Sequence, residues 1–157
     1  SLVQRTDADT NPFAGLDVYT ACHPVAWDWD GDGDLDLILG DTSGTVSYFE
    51  HLYTGFLMRH TYWTTYPFGR IDVGSDSFPT LADWDGAGRL GLFIGGLDNP
   101  RGLRYWIPQP YVSPALTLRS GTGLDPFHGI DVGSNAITSA VDWDGDGDFD
   151  LLIGNSD

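Results

Sequence analysis

The chain has no lysine, one glutamate (Glu50), one methionine and a single cysteine, Cys22, in 157 residues. One thiol excludes an internal disulfide framework and leaves the redox compartment open. Only seven arginines stand against 23 acidic residues, 22 of them aspartate, giving a formal charge of −16. A nucleic-acid partner would be repelled through its phosphates, and cations are the expected ligands. No apolar run approaches the ~20 residues of a membrane-spanning helix. The opening SLVQRTDADT lacks the charged and apolar regions of a signal peptide, so any targeting segment is expected outside these residues. No stretch offers a helical period. What the chain does have is 41% hydrophobic and 13% aromatic residues, too many for a disordered acidic tail, so it is expected to fold.

Its organisation is repetitive. DWDGDGDLDLILG at 28, DWDGAGRLGLFIG at 83 and DWDGDGDFDLLIG at 142 are three copies of one stretch, 55 and 59 residues apart. PFAGLDV at 12, PFGRIDV at 67 and PFHGIDV at 126 each begin sixteen residues before the first aspartate of the following loop, which makes Asp17, Asp72 and Asp131 equivalent. Downstream, TVSYFEHL matches GLRYWIP, and the third copy stops at GNSD before its equivalent. The repeats run roughly over 2–55, 56–115 and 116–157, the last incomplete.

Within a repeat the pattern is all β. HPVAWD, LDLILG, TVSYFEHL and FLMRHTYW are short apolar or alternating runs rich in branched and aromatic residues, divided by Gly, Asp, Pro and Ser. Four short strands per unit of 40 to 60 residues is the pattern of a propeller blade, whose two faces must be buried by neighbours. The expected architecture is a leading outer strand, LVQRT, then about two and a half four-stranded blades.

The blades explain the aspartates. Carboxylates at alternate positions with glycines between them let a tight loop curl so that several oxygens point at one hard cation at ~2.3 to 2.6 Å; without an ion they repel one another. Side-chain ligands are expected from Asp28, Asp30, Asp32 and Asp36, with the carbonyl of Asp34, and from Asp142, Asp144, Asp146 and Asp150, with the carbonyl of Asp148. Ca²⁺ suits such all-oxygen, flexible cages, whereas Mg²⁺ keeps several waters. In the middle loop Ala87 and Gly91 replace two carboxylates, only Asp83 and Asp85 remain, and that loop is expected to be empty, with Arg89 as a counter-charge.

The D-x-D-G-D-G-x-x-D loop followed by an apolar strand and glycine resembles the FG-GAP or VCBS repeat of integrin α-subunit propellers and fungal propeller lectins. NPFAGLDV and GIDVGSNAITSAVDWDGDGDFDLLIG extend the resemblance over essentially the whole chain. It implies a β-propeller, usually seven-bladed, with Ca²⁺ in inter-strand loops and a role in adhesion, recognition or scaffolding. Two departures stand out: the middle loop has lost ligands, and two and a half blades cannot close a ring, so a larger ring or assembly is expected.

Other motifs carry less. An EF-hand also begins D-x-D-x-D-G but needs Glu at position twelve, where this chain has Leu39 or Ile153, and flanking helices. GAGRLG at 86–91 satisfies G-x-G-x-x-G yet opens a strand rather than a helix. His23, His51, His60 and His128 have no metal-ligand spacing, and G-x-S-x-G is absent, so no enzyme is expected. Trp29, Trp84 and Trp143 are expected to pack between blades, while Trp63, Tyr66, Tyr105 and Trp106 are candidates for lining a sugar site. Asp17, Asp72 and Asp131 are expected to fix turns through backbone hydrogen bonds. The functional expectation is a calcium-binding module for protein interaction, adhesion or scaffolding, extracellular or in an organelle lumen; the alternative is a carbohydrate-binding, lectin-type propeller.

Overall fold

The computed structural model of the chain describes residues 4, 11, 13–16, 18, 21–58, 67–96, 102–108 and 116–156, and of 56–58 the backbone alone. They form β1 (Cys22–Trp27), β2 (Asp36–Asp41), β3 (Val46–Leu52) and β4 (Gly55–Met58), then, after a 3-10 turn at Pro67–Arg70, β5 (Phe78–Ala82), β6 (Gly91–Gly95), β7 (Leu103–Pro108) and β8 (Leu116–Arg119), and last β9 (Ile137–Val141) and β10 (Asp150–Gly154). The protein is all-β and antiparallel: two four-stranded meanders, β1-β2-β3-β4 and β5-β6-β7-β8, and a two-stranded β9-β10 hairpin. Among the described residues the sheets form an open series and no closed barrel or ring. LVQRT lies almost wholly outside those residues, as does Asp17.

Each sheet is built on the same register. Trp27 pairs with Asp36, Ala82 with Gly91 and Val141 with Asp150, so in all three the acidic loop is the hairpin loop joining first strand to second. The sheets are offset from the sequence repeats, because β4 and β8 hydrogen-bond back to β3 and β7 of the preceding unit.

Apolar residues on both sides of a strand demand cover on both faces, and the stacking supplies it. One cluster joins Ile38, Val46 and Tyr48 of the first sheet to Leu81, Leu92, Ile94 and Trp106 of the second, with Phe68, Ile71 and Val73 of the connection wedged between. A second joins Phe93, Leu103, Tyr105 and Ile107 to Trp84, Phe127, Val132, Leu151 and Ile153. A third, on the opposite face of the first sheet, packs Leu37, Leu39 and Phe49 against Leu16 and Cys22. The first two stacks are close. A Cβ on Gly40 would overlap the Ser77 carbonyl and one on Gly95 the Ala136 carbonyl, so glycine alone fits where β2 and β6 meet the next sheet.

Polar contacts lock the same joints. Ser77, fully buried, receives a hydrogen bond from the Asp41 amide at 2.8 Å and donates to the Thr45 carbonyl at 2.6 Å, while its own amide donates to the Asp41 carbonyl at 2.9 Å. At the second joint Thr80 Oγ1 donates to the Thr138 carbonyl at 2.8 Å. The repeated aspartates act as expected where they are described: Asp72 Oδ1 accepts from the Gly74 amide at 2.9 Å and Asp131 Oδ1 from Gly133 at 3.0 Å.

Candidate metal centres

Asp28 follows β1 and turns back onto its own loop. Its Oδ1 accepts from the Gly31 amide at 2.8 Å and its Oδ2 from Gly33 at 3.0 Å, while Asp30 Oδ1 accepts from Asp32 N at 3.2 Å and Asp32 Oδ1 from Asp34 N at 2.9 Å. Gly33 sits at φ 97°, in the left-handed region where a side chain would be strained, and this allows the curl. The third loop repeats the geometry: Asp142 accepts from Gly145 at 2.8 Å and Gly147 at 3.2 Å, Asp144 from Asp146 N at 3.1 Å, Asp146 from Asp148 N at 2.9 Å, and Gly147 has φ 97°.

This curl gathers carboxylates. Asp28, Asp30 and Asp32 each offer an oxygen within 4.8 Å of the others, and Asp142, Asp144 and Asp146 do the same. The two triads have the donor type and spacing to hold a metal ion. Burial, and after it the charges of Asp36, Asp32 and Asp28, hold the Asp30 carboxyl above its usual range against the lowering hydrogen bond from Asp32. A cation relieves that repulsion.

Asp34 and Asp148 are exposed, and their side chains stand outside the triads. Asp36 and Asp150 close the loops from the strand side. Asp36 is 1% exposed; its Oδ2 accepts from Trp29 N at 3.0 Å and Tyr48 OH at 2.8 Å, and its Oδ1 from His51 N at 2.8 Å. Asp150 Oδ2 accepts from Trp143 N at 2.9 Å. Sequence reasoning missed Tyr48 as the partner of Asp36. The signal was available in the repeat alignment, where the middle unit keeps the tyrosine, Tyr105, but exchanges the aspartate for Gly91.

The middle loop keeps part of the curl: Gly88 N donates to Asp83 Oδ2 at 2.8 Å and Ala87 N to Asp85 Oδ1 at 3.1 Å. Asp83 Oδ1, whose counterparts accept from Gly31 and Gly145, is buried without a hydrogen-bond partner. Arg89 Nη2 lies 2.9 Å from Asp85 Oδ2, an exposed ion pair in the place where the other loops carry a fourth aspartate. A Cβ on Gly91 would overlap the Tyr105 ring, which stacks on Phe93 at 4.6 Å and fills the space of the missing carboxylate.

Trp29 and Trp84 pack at the joints, 4.9 Å from Phe68 and 5.3 Å from Phe127, but Trp143 is 73% exposed, with no further sheet against it among the described residues. Of the proposed sugar-lining aromatics, Tyr105 and Trp106 are core residues, 5% and 7% exposed, which removes them from any accessible surface; Trp63 and Tyr66 lie outside the described residues. Among the described residues no helix is long and apolar enough to cross a membrane. In comparisons with known proteins, no family model and no curated protein matches this chain.

Proposed function

We propose that the chain is a calcium-stabilised propeller segment of FG-GAP or VCBS type, acting as a binding and scaffolding module of a larger assembly outside the cell or in an organelle lumen. The observation that carries this reading is the recurrence of one three-carboxylate triad, on the same hairpin and with the same hydrogen bonds, in the first and third sheets. An all-oxygen donor set on a flexible loop matches Ca²⁺ better than a softer or more strictly octahedral ion. Asp28, Asp30 and Asp32 would hold one ion, with the Asp34 carbonyl and Asp36 completing the cage; Asp142, Asp144 and Asp146 would hold the other, with the Asp148 carbonyl and Asp150. Bound Ca²⁺ supplies charge neutralisation and cross-links the loop. The protein's part is to present the oxygens and to fix the loop ends through Trp29 N and Trp143 N.

The scaffold reading follows from stacking. Sheets that bury their faces against successive neighbours form extended arrays suited to holding partners, and the chain's charge of −16 keeps such an array soluble. A glycan array probed with and without chelator, alongside a search for a stable protein partner, tests it. A silent array and a retained partner are expected; reproducible, chelator-sensitive sugar binding would replace the scaffold with a lectin.

A further inference from the structure

Asp36 opens β2 and is buried, and among the described residues three donors meet its carboxylate: Trp29 N and Tyr48 OH on Oδ2, and His51 N on Oδ1. A carboxylate offers about four acceptor positions, two on each oxygen, so Oδ2 is full and one position remains, on Oδ1. Burial raises the Asp30 carboxyl most, and of the neighbouring charges that of Asp36 raises it most, which places Asp36 beside the triad. The network belongs to the loop rather than to the sheet. In the middle unit Gly91 stands for Asp36 and Pro108, which has no N–H, for His51, yet β6 and β7 pair in the register of β2 and β3. Acceptor and amide donor are lost together where the loop has lost carboxylates, and the sheet forms without them. Two of the donor residues also touch the next unit: Phe68, fully buried, lies 4.9 Å from the Trp29 ring and stacks on the Tyr48 ring at 5.5 Å.

We propose that Tyr48 is a positioning residue for a calcium ion in the first loop, acting through Asp36, and that Phe68 ties the affinity of that site to the joint between the first and second sheets. The inference rests on the calcium reading of the loop. A ligating carboxylate already oriented by hydrogen bonds loses little freedom when the ion arrives, and removing such an outer partner commonly weakens metal binding about 10–100-fold. With Tyr48 OH and Trp29 N on Oδ2, Asp36 has only Oδ1 to offer an ion. Losing the phenol also leaves Oδ2 with more charge for a cation, which works in the opposite direction. Trp29 N still meets that oxygen, and a single remaining bond on each oxygen lets the group rock, so the loss of orientation outweighs the gain in charge. Coupling between binding events is reciprocal: the Tyr48 and His51 bonds, and the packing of the Tyr48 ring on Phe68, tighten when the loop is occupied.

Calorimetric titration with Ca²⁺, well below melting and with each variant's fold checked by circular dichroism, tests this one site at a time: Asp144→Ala leaves the first loop, Asp30→Ala the third. In the Asp144→Ala chain, Tyr48→Phe is expected to weaken binding about tenfold or more, and Phe68→Leu about threefold or more. In the Asp30→Ala chain neither changes the affinity, and Tyr105→Phe changes neither site. A purely structural tyrosine would lower the melting temperature and leave both affinities alone. Should Tyr48→Phe not fold, the wild type carries the test: the His51 amide, followed by NMR, is expected to exchange about tenfold more slowly in Ca²⁺ than in EDTA. First-loop affinity that is unchanged or tighter in Tyr48→Phe, equal weakening of both loops, or His51 exchange indifferent to calcium would overturn the inference while two ions still bind. A wild type that binds no calcium would overturn it together with the calcium reading.

Discussion

At the scale of single residues, the first and second sheets show one exchange made at two positions. Where Asp36 is present, Tyr48 donates to it; where Gly91 replaces it, the Tyr105 ring moves into the space. Tyr48→Phe therefore removes a buried bond to a carboxylate and is expected to cost about 1.5–3 kcal/mol, whereas Tyr105→Phe should cost under about 0.5 kcal/mol, both read from urea unfolding. Equal losses would show that the two hydroxyls do the same work. Glycine offers a second contrast. Gly40→Ala and Gly95→Ala push a methyl group into backbone carbonyls of the next sheet and are expected to lose about 1–3 kcal/mol, while Gly154→Ala, facing open space, should stay within about 0.5 kcal/mol. All three glycines close the same apolar run in the sequence, but only the stacking of sheets distinguishes them.

Among elements, the turn between β2 and β3 is governed by Asp41. Burial tends to raise its pKa, but hydrogen bonds from the Ser43 and Thr45 hydroxyls at 2.6 and 2.8 Å, and from their amides at 2.9 and 3.1 Å, outweigh it and hold the carboxyl below its usual range. A carboxylate depressed in the folded state contributes stability above its unfolded pKa of ~3.9 and loses it as pH falls through the lower folded value. The stability gap between wild type and Asp41→Asn should therefore be full near pH 6 and shrink steadily below about pH 4. A gap independent of pH would mean that the carboxylate charge plays no part. The strands and hairpin loops of all three units were legible in the sequence, because alternating apolar residues bounded by Gly and Asp encode them locally. The Ser77 clasp on Asp41 and Thr45 was not, since it joins positions more than thirty residues apart, and nothing local marks that serine among the other turn residues.

For the molecule as a whole, repetition is what made part of the candidate site readable: two loops with one ligand spacing predicted two cages of four side chains and a carbonyl each, and of these the structure gathers the carboxylates of Asp28, Asp30 and Asp32, and of Asp142, Asp144 and Asp146, while Asp36 and Asp150 accept hydrogen bonds from the loop ends. Repetition also misled. The equivalence of Trp29, Trp84 and Trp143 suggested equal burial, yet burial depends on the neighbouring sheet, and among the described residues none lies against Trp143. Two dications would remove four of the sixteen net negative charges, and each bound ion adds about 2.7 kcal/mol at a hundredfold excess over its dissociation constant. Melting in excess EDTA should accordingly occur well below melting in Ca²⁺, with Asp30→Ala and Asp144→Ala each giving part of the loss; an unchanged melting temperature would contradict a stabilising role for the ion. The central claim is tested most directly by calorimetric titration of the metal-free chain with Ca²⁺. The account predicts two ions per chain, one lost in Asp30→Ala and the other in Asp144→Ala, with Asp85→Ala still binding two. No binding, or a third site of equal strength lost in Asp85→Ala, would contradict it.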